Sequence, residues 1–238
     1  MTPPQLRYAA RTHVGRRRRI NEDSILPMPD IGVFALADGM GGHDGGDLAS
    51  QTVIARIAAV PPGLDAGALL RAVRSAILSA HQEIAAEARG RGGMMGTTVV
   101  ALILTEGHFA CLWAGDSRLY LCRAGHVEQL TGDHSLVAEM VRNGQLAPEE
   151  ADSHPRGNVI TRAVGVGDAL ELDKIRGTIL PGDRFLLCSD GLTRYAGSGE
   201  LTRFLSGRPI ENVADDLIDF ALERGGEDNV SVIVVEIA

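Results

Sequence analysis

With 238 residues and a hydrophobic share of 45%, the chain has apolar side chains enough for a substantial core, and its formal net charge of −8 argues against nucleic acid, which asks for a basic surface. No run approaches the ~18 apolar residues of a membrane helix, and the N-terminus shows no signal-peptide pattern, so a membrane partner is not expected. Three cysteines, Cys111, Cys122 and Cys188, lie in or beside apolar runs without C-x-x-C spacing, which favours reduced thiols in a cytoplasmic protein.

In chain order, "IGVFALADG" at 31–39 reads as a buried strand running into a Gly-rich turn. Residues 47–60 carry apolar positions at helical spacing, with Asp47 as a plausible cap and Pro61–Pro62 as the stop. A longer helix is expected over 65–90, with Leu69, Leu70, Val73, Ile77 and Ile84 on one stripe. "TTVVALILTEG", "HFACLWAG" and "SRLYLCRAG" then read as an antiparallel meander. Residues 132–158 are polar and suggest a lid or flap, with one helical pattern at 135–143. "DRFLLCSDG" predicts another strand, 210–223 a late helix and "NVSVIVVEI" a closing strand. Helices beside antiparallel strands point to an α+β fold, with two sheets covered by helices, and no linker divides the chain.

Four acidic motifs carry the chemistry: "NEDS" at 21–24, "ADGMGGH" at 37–43, "CSDG" at 188–191 and "GEDN" at 226–229. Asp38 and Asp190 each end an apolar run and precede a Gly, while Asp228 stands just before another run. Carboxylates so placed, with Gly letting backbone carbonyls approach, suit a hard divalent cation such as Mg²⁺ or Mn²⁺. Asp38 is placed to bridge two ions, with the Gly39 carbonyl reaching one of them. Asp190 and Asp228 complete the first ion, and Glu22 or Asp23 reaches the second through water. Two ions about 3.5–4 Å apart can hold a bridging hydroxide for phosphoryl chemistry. A lone Asp-Gly is more often an ordinary turn; four motifs, three of them abutting apolar runs, are harder to dismiss that way. Asp116, in "AGDSRLYL", either binds a further ion beside Asp190 or starts a hairpin strand.

Eight segments in order, "GRRRRINEDS", "ALADGMGGHDGGDLAS", "GTTVVALIL", "WAGDSRLYL", "TGDHSLV", "HPRGNVITRAVG", "LLCSDGLT" and "GGEDNVSVIVV", resemble the type 2C, metal-dependent serine/threonine protein phosphatases, in particular their bacterial single-domain members. The resemblance runs from about residue 8 to the C-terminus. It implies a four-layer αββα sandwich with a metal cluster at one edge of two central antiparallel sheets. It also implies that Asp38, the Gly39 carbonyl, Asp190 and Asp228 contact metal directly, with Glu22 holding the second ion through water and Asp23 its neighbour in the motif. By the same resemblance Asp116 shares a third ion with Asp190, Arg18 grips the substrate phosphate, and residues of about 134–160 form a flap. One departure is Met40, where animal and plant members place a His proposed as general acid. The leaving-group acid is therefore unassigned, with His43 or a metal-bound water as candidates.

Rival readings remain weaker on chemical grounds. "CSDGLTR" at 188–194 fits the C-x-x-G-x-x-R phosphate loop of cysteine-dependent phosphatases, but Asp190 inside that cradle repels a phosphate dianion. "GMGGHDGGD" lacks both common nucleotide-binding glycine patterns. The run at 16–19 could be a nucleic-acid or acidic-partner patch but in a chain of net charge −8 is more often a solvated stretch, and His134 is expected to be structural. A catalytically inactive phosphoprotein-binding relative usually loses a metal Asp, and all are present here; a metallohydrolase of small phosphoesters would keep the same carboxylates.

The expectation is one catalytic domain over residues 1–238, a cytoplasmic and monomeric phosphatase that requires Mn²⁺ or Mg²⁺, with two ions and a third site. Its substrates are phosphoserine and phosphothreonine proteins, including a cognate kinase or that kinase's targets.

Overall fold

The computed structural model describes residues 5–41, 45–151 and 154–238; His43 lies outside the described residues. From the N-terminus run β1 (Leu6–His13), β2 (Asp23–Met28) and β3 (Val33–Gly41), then the helices α1 (Gly45–Ala58) and α2 (Ala66–Arg91). Next come β4 (Met95–Thr97), β5 (Val99–Thr105), β6 (His108–Ala114), β7 (Arg118–Arg123) and β8 (His126–Gln129). Two short helices, α3 (Leu136–Arg142) and α4 (Pro148–Ala151), precede β9 (Asp173–Thr178) and β10 (Arg184–Cys188). A single turn, α5 (Asp190–Thr193), leads through α6 (Ser198–Gly207) and α7 (Ile210–Glu223) into β11 (Val230–Ile237).

The strands make two antiparallel sheets, ordered β1-β11-β10-β7-β8 and β2-β3-β5-β6-β9, with β4 paired to β3. Because strand side chains alternate between faces, each central strand serves two apolar layers. Along β3, Val33, Ala35 and Ala37 pack toward α1 and α2, while Phe34 and Leu36 enter the layer between the sheets. Along β11, Val232 and Val234 face α6 and α7, and Ile233, Val235 and Ile237 meet Phe34 and Leu36 from the opposite sheet. Side chains as large and as fully enclosed as Phe34, Leu102 and Phe185 each contribute about 1.5–3 kcal/mol by leaving water. The result is helix, sheet, sheet, helix: the αββα architecture the motifs imply.

Local signals account for the helix ends. Asp65 caps α2 by accepting the Ala68 amide at 2.7 Å, and Gly92 closes the helix in the left-handed region at φ 66°. Leu69, Val73, Ile77 and Ile84 are buried as the stripe requires, and Leu70 is half-buried. Asp47 is not a cap, because α1 already begins at Gly45 and Asp47 sits in its first turn. The strand expected from residue 31 starts at Val33, since Pro29–Ile31 form a 3₁₀ turn.

The expected three-strand meander is a second correction. β5 and β6 do form a hairpin, but β7 joins the other sheet, beside β10. Gly115, at φ +112°, turns the chain between the sheets, and a Cβ there would stand 2.6 Å from Thr98 Cβ. That crossing leaves Asp116 at the end of the cleft between the sheets.

Candidate metal centre

The site is built by strand alternation at one end of the inter-sheet layer. Asp38 continues the face of β3 that carries Phe34 and Leu36, and Asp23 of β2 stands directly opposite it in the ladder. From the other sheet, Asp190 follows β10 as the first residue of α5, and Asp228 lies just before β11. A pocket of about 230 Å³ is lined by Arg18, Glu22, Asp38, Gly39, Asp116, Asp190 and Asp228, together with Met40, Thr98, Asn158, Ile160 and Asn229. Seven of the eight residues singled out in the sequence thus share one cavity. The eighth, Asp23, is buried behind it at 6% exposure.

Close backbone packing sets this geometry. A Cβ on Gly39 would stand 2.0 Å from the Gly46 carbonyl oxygen, so only glycine lets the end of β3 meet the start of α1. Glu22 lies against the same helix start, where a Cβ on Gly46 would fall 2.2 Å from Glu22 Oε1. That end of a helix favours a carboxylate. The Asp38 carbonyl accepts from the Thr98 amide at 2.8 Å and from Thr97 Oγ1 at 2.9 Å. Thr98 Oγ1 in turn receives the Asp38 amide at 3.0 Å and pairs with Ser117 Oγ at 2.7 Å, tying Asp38 to the Asp116 loop.

Electrostatically the cluster is under load. Burial raises the Asp38 carboxyl well above the usual carboxylate range, and Asp23, Asp190, Asp116 and Asp228 push it further. Burial likewise lifts Asp23 to about 7, with Asp190 and Asp228 adding repulsion, and lifts Asp116 to about 7 with help from Asp190 and Asp133. Asp190 is raised by burial and by Asp228, partly offset by Arg194 and Arg18. Glu22 is raised chiefly by burial, which Arg18 opposes.

Such a concentration of acids suits a hard cation, which relieves the repulsion and accepts only oxygen ligands. A second observation fits the same group: Asp23 Oδ1 is buried with no hydrogen-bond partner among the described residues. The side chains are not drawn into a finished cage, for no three His, Cys, Asp or Glu groups among the described residues form a ready ligand set. Instead Asp228 Oδ2 accepts from Arg18 Nη2 at 2.8 Å, and Asp190 Oδ2 from Arg194 Nη2 at 3.5 Å.

Asn229 is the functional residue that sequence reasoning passed over. Its Oδ1 receives the Glu22 amide at 2.8 Å, and its Nδ2 donates to the carbonyls of Val14 at 2.9 Å and Ile20 at 3.0 Å. One carboxamide therefore fixes both the NEDS segment and the arginine-bearing turn before it; the only sequence hint was its place at the end of "GEDN". His134 is structural, as expected. Its Nδ1 accepts the Gly115 amide at 3.1 Å, its ring runs parallel to Trp113 with centroids 6.1 Å apart, and Arg162 approaches Nε2 at 3.1 Å while pairing with Asp173 at 2.6 Å.

Cys188 is fully buried and faces the helical layer with Leu192 and Leu201, on the opposite face of β10 from Leu187. Burial pushes its thiol up to about 12, which removes the thiolate a cysteine nucleophile needs.

Comparison with known proteins adds to this geometry. Residues 15–231 match the family model described as protein phosphatase 2C. The chain is 38% identical over 234 residues to serine/threonine protein phosphatase PstP of Mycobacterium tuberculosis; this covers 98% of the chain and 45% of the relative, so the chain spans about half that protein's length. It superimposes on the whole of PppA, described as a key regulatory component of T6SS in Pseudomonas aeruginosa, with TM-score 0.93, 39% identity and full coverage of both chains. A solved catalytic domain of PstP in complex with two manganese ions matches with TM-score 0.85 and 38% identity, covering 97% of each chain. With its motifs in order, its αββα layers and its acidic pocket at the sheet edge, the chain belongs to the protein phosphatase 2C family.

Proposed function

We propose that this chain is a metal-dependent serine/threonine protein phosphatase, hydrolysing phosphoserine and phosphothreonine in proteins. The observation that carries the reading is the convergence of Glu22, Asp38, Asp116, Asp190 and Asp228 on one pocket with Arg18. The family match and the two manganese ions in the related PstP domain support it.

In this reading Asp38, the Gly39 carbonyl, Asp190 and Asp228 would hold the ions, Glu22 would reach them through water with Asp23 buried behind it, and Asp116 with Asp190 would provide a third site. When bound, Mn²⁺ or Mg²⁺ supplies Lewis acidity toward the phosphoryl oxygens and a water nucleophile at neutral pH. Arg18 donates to the substrate phosphate and orients it for in-line displacement. No side chain in the pocket serves as a covalent nucleophile, so no phosphoenzyme forms. Met40 lines the pocket and has no proton to give to the leaving alkoxide.

The segment at about 134–160 acts as the flap of one catalytic unit; its residues Asn158 and Ile160 line the pocket. No helix among the described residues is long and apolar enough to cross a membrane. The three buried free thiols suit a cytoplasmic setting, and we assign a monomer acting on phosphoproteins that include a cognate kinase or its targets.

Release of phosphate from a phosphothreonine peptide and from an aryl phosphate, in Mn²⁺ and in excess EDTA, tests the proposal. Manganese-dependent release from both, abolished by EDTA, is expected. Activity that survives EDTA and dies with a thiol alkylator would contradict it, as would folded protein without activity in any condition.

A further inference from the structure

Four successive arginines, Arg16, Arg17, Arg18 and Arg19, stand against the chain's net charge of −8. They occupy the turn between β1 and β2, and that turn is pinned. Asn229 Nδ2 bonds the carbonyls at both its ends, Val14 and Ile20. The Arg16 amide donates to the Gly226 carbonyl at 2.7 Å. Gly15, at φ +81°, packs so tightly that a Cβ would stand 2.1 Å from the Asp228 carbonyl oxygen.

All four side chains are exposed. Arg18 reaches Asp228 at the pocket, and the neighbouring acid Glu227 is engaged by Arg194 at 3.4 Å. Among the described residues Arg16, Arg17 and Arg19 make no side-chain hydrogen bond or ion pair. Three unpaired guanidinium groups are therefore displayed on a fixed turn whose fourth arginine lines the phosphate-binding pocket.

We infer that this turn selects phosphoprotein segments with acidic residues beside the phosphorylated Ser or Thr. Arg17 and Arg19 meet the flanking carboxylates while Arg18 meets the phosphate. The inference rests on the phosphatase reading and names its substrate class. An acidic flank approaching a pocket of five carboxylates is otherwise repelled, and the turn supplies opposite charge along that edge. A nucleic acid fits less well, because its continuous negative charge extends beyond the four arginines of a chain whose net charge is −8.

Two labelled phosphothreonine peptides, identical except for three Glu or three Gln around the phosphoresidue, test this. Binding is read by fluorescence anisotropy on the Asp38→Asn chain, which does not turn the peptide over, and turnover on the wild-type chain. The Glu peptide is expected to bind about 3–10-fold more tightly at low salt, with the contrast shrinking at high salt, as exposed ion pairs do. The contrast should vanish in Arg17→Gln/Arg19→Gln, which still hydrolyses an aryl phosphate at the wild-type rate. Arg17→Glu/Arg19→Glu should reverse the preference toward a Lys-flanked peptide. Equal binding of the Glu and Gln peptides, or a contrast that persists in the double variant, would overturn the inference. So would tighter binding of a single-stranded oligonucleotide than of the Glu peptide. Failure of the wild type to hydrolyse any phosphoester would instead strike the phosphatase reading, while the anisotropy would still decide the role of the turn.

Discussion

Ser189 Oγ donates to Asp23 Oδ2 at 2.9 Å, joining the end of β10 in one sheet to β2 in the other directly behind the acidic pocket. The same hydroxyl receives the Ser231 amide at 3.0 Å, so it is a relay between β11 and a carboxylate whose other oxygen has no partner among the described residues. Ser189→Ala leaves both a buried amide and a buried carboxylate without this partner. The expected cost is about 1–3 kcal/mol of stability, measured by urea unfolding, with weaker manganese binding in the same variant. Unchanged stability and unchanged affinity would contradict the relay.

Four acids, Asp23, Asp190, Asp116 and Asp228, push against the charge of Asp38. Asp38→Asn removes that charge from a repelling cluster at little change in volume. The metal-free variant should melt at a temperature equal to or above the wild type, while phosphate release falls by several orders of magnitude and the stabilisation by Mn²⁺ is largely lost. Differential scanning calorimetry with and without Mn²⁺ checks both halves. A variant that melts lower and keeps its turnover would show that Asp38 is a structural acid.

Cys188 sits in the apolar layer against α6 and α7. Cys188→Ser places a hydroxyl among Leu201, Val213 and their neighbours, costing about 1–3 kcal/mol of stability. Turnover per folded molecule should stay within about twofold of wild type. Loss of activity from a folded variant would favour the thiol mechanism instead.

The raised carboxyls give a pH dependence with a definite sign. Asp23 and Asp116 titrate at about 7 in the metal-free fold against 3.8 ordinarily, so the native state holds protons that the unfolded chain has released. Their contribution to stability is complete below about pH 4 and is lost as pH rises to about 7. A cation replaces those protons, so its binding strengthens with pH over the same window. The rise in melting temperature between EDTA and Mn²⁺ should therefore be larger at pH 8 than at pH 5. An equal rise at both would place the metal away from these acids.

Much of the site was legible because its signals are local. Asp38 and Asp190 end apolar runs before a Gly, and both line the same cavity, Asp38 from within β3 and Asp190 from just beyond β10. The helix at Ile210–Glu223 and the stripe of α2 follow from spacing alone. What the sequence hid is non-local. Nothing in "WAGDSRLYL" says that the chain leaves one sheet after Ala114 and enters the other at Arg118, since sheet membership depends on β10 some sixty positions later. β9, with the burial of an edge strand and the polar sequence DKIRGT, carries almost no apolar signal. Asn229 acts through Glu22, Val14 and Ile20, all more than two hundred positions away, so no local pattern could announce it.

The central claim is that these carboxylates hold the catalytic ions. Anomalous diffraction at the manganese edge, from crystals of this chain soaked in Mn²⁺, tests it most directly. At least two peaks in the pocket, touching Asp38, Asp190 and Asp228, are predicted, with a further peak between Asp116 and Asp190 at higher Mn²⁺. Manganese found only elsewhere on the surface, in crystals of protein that still releases phosphate, would contradict the account.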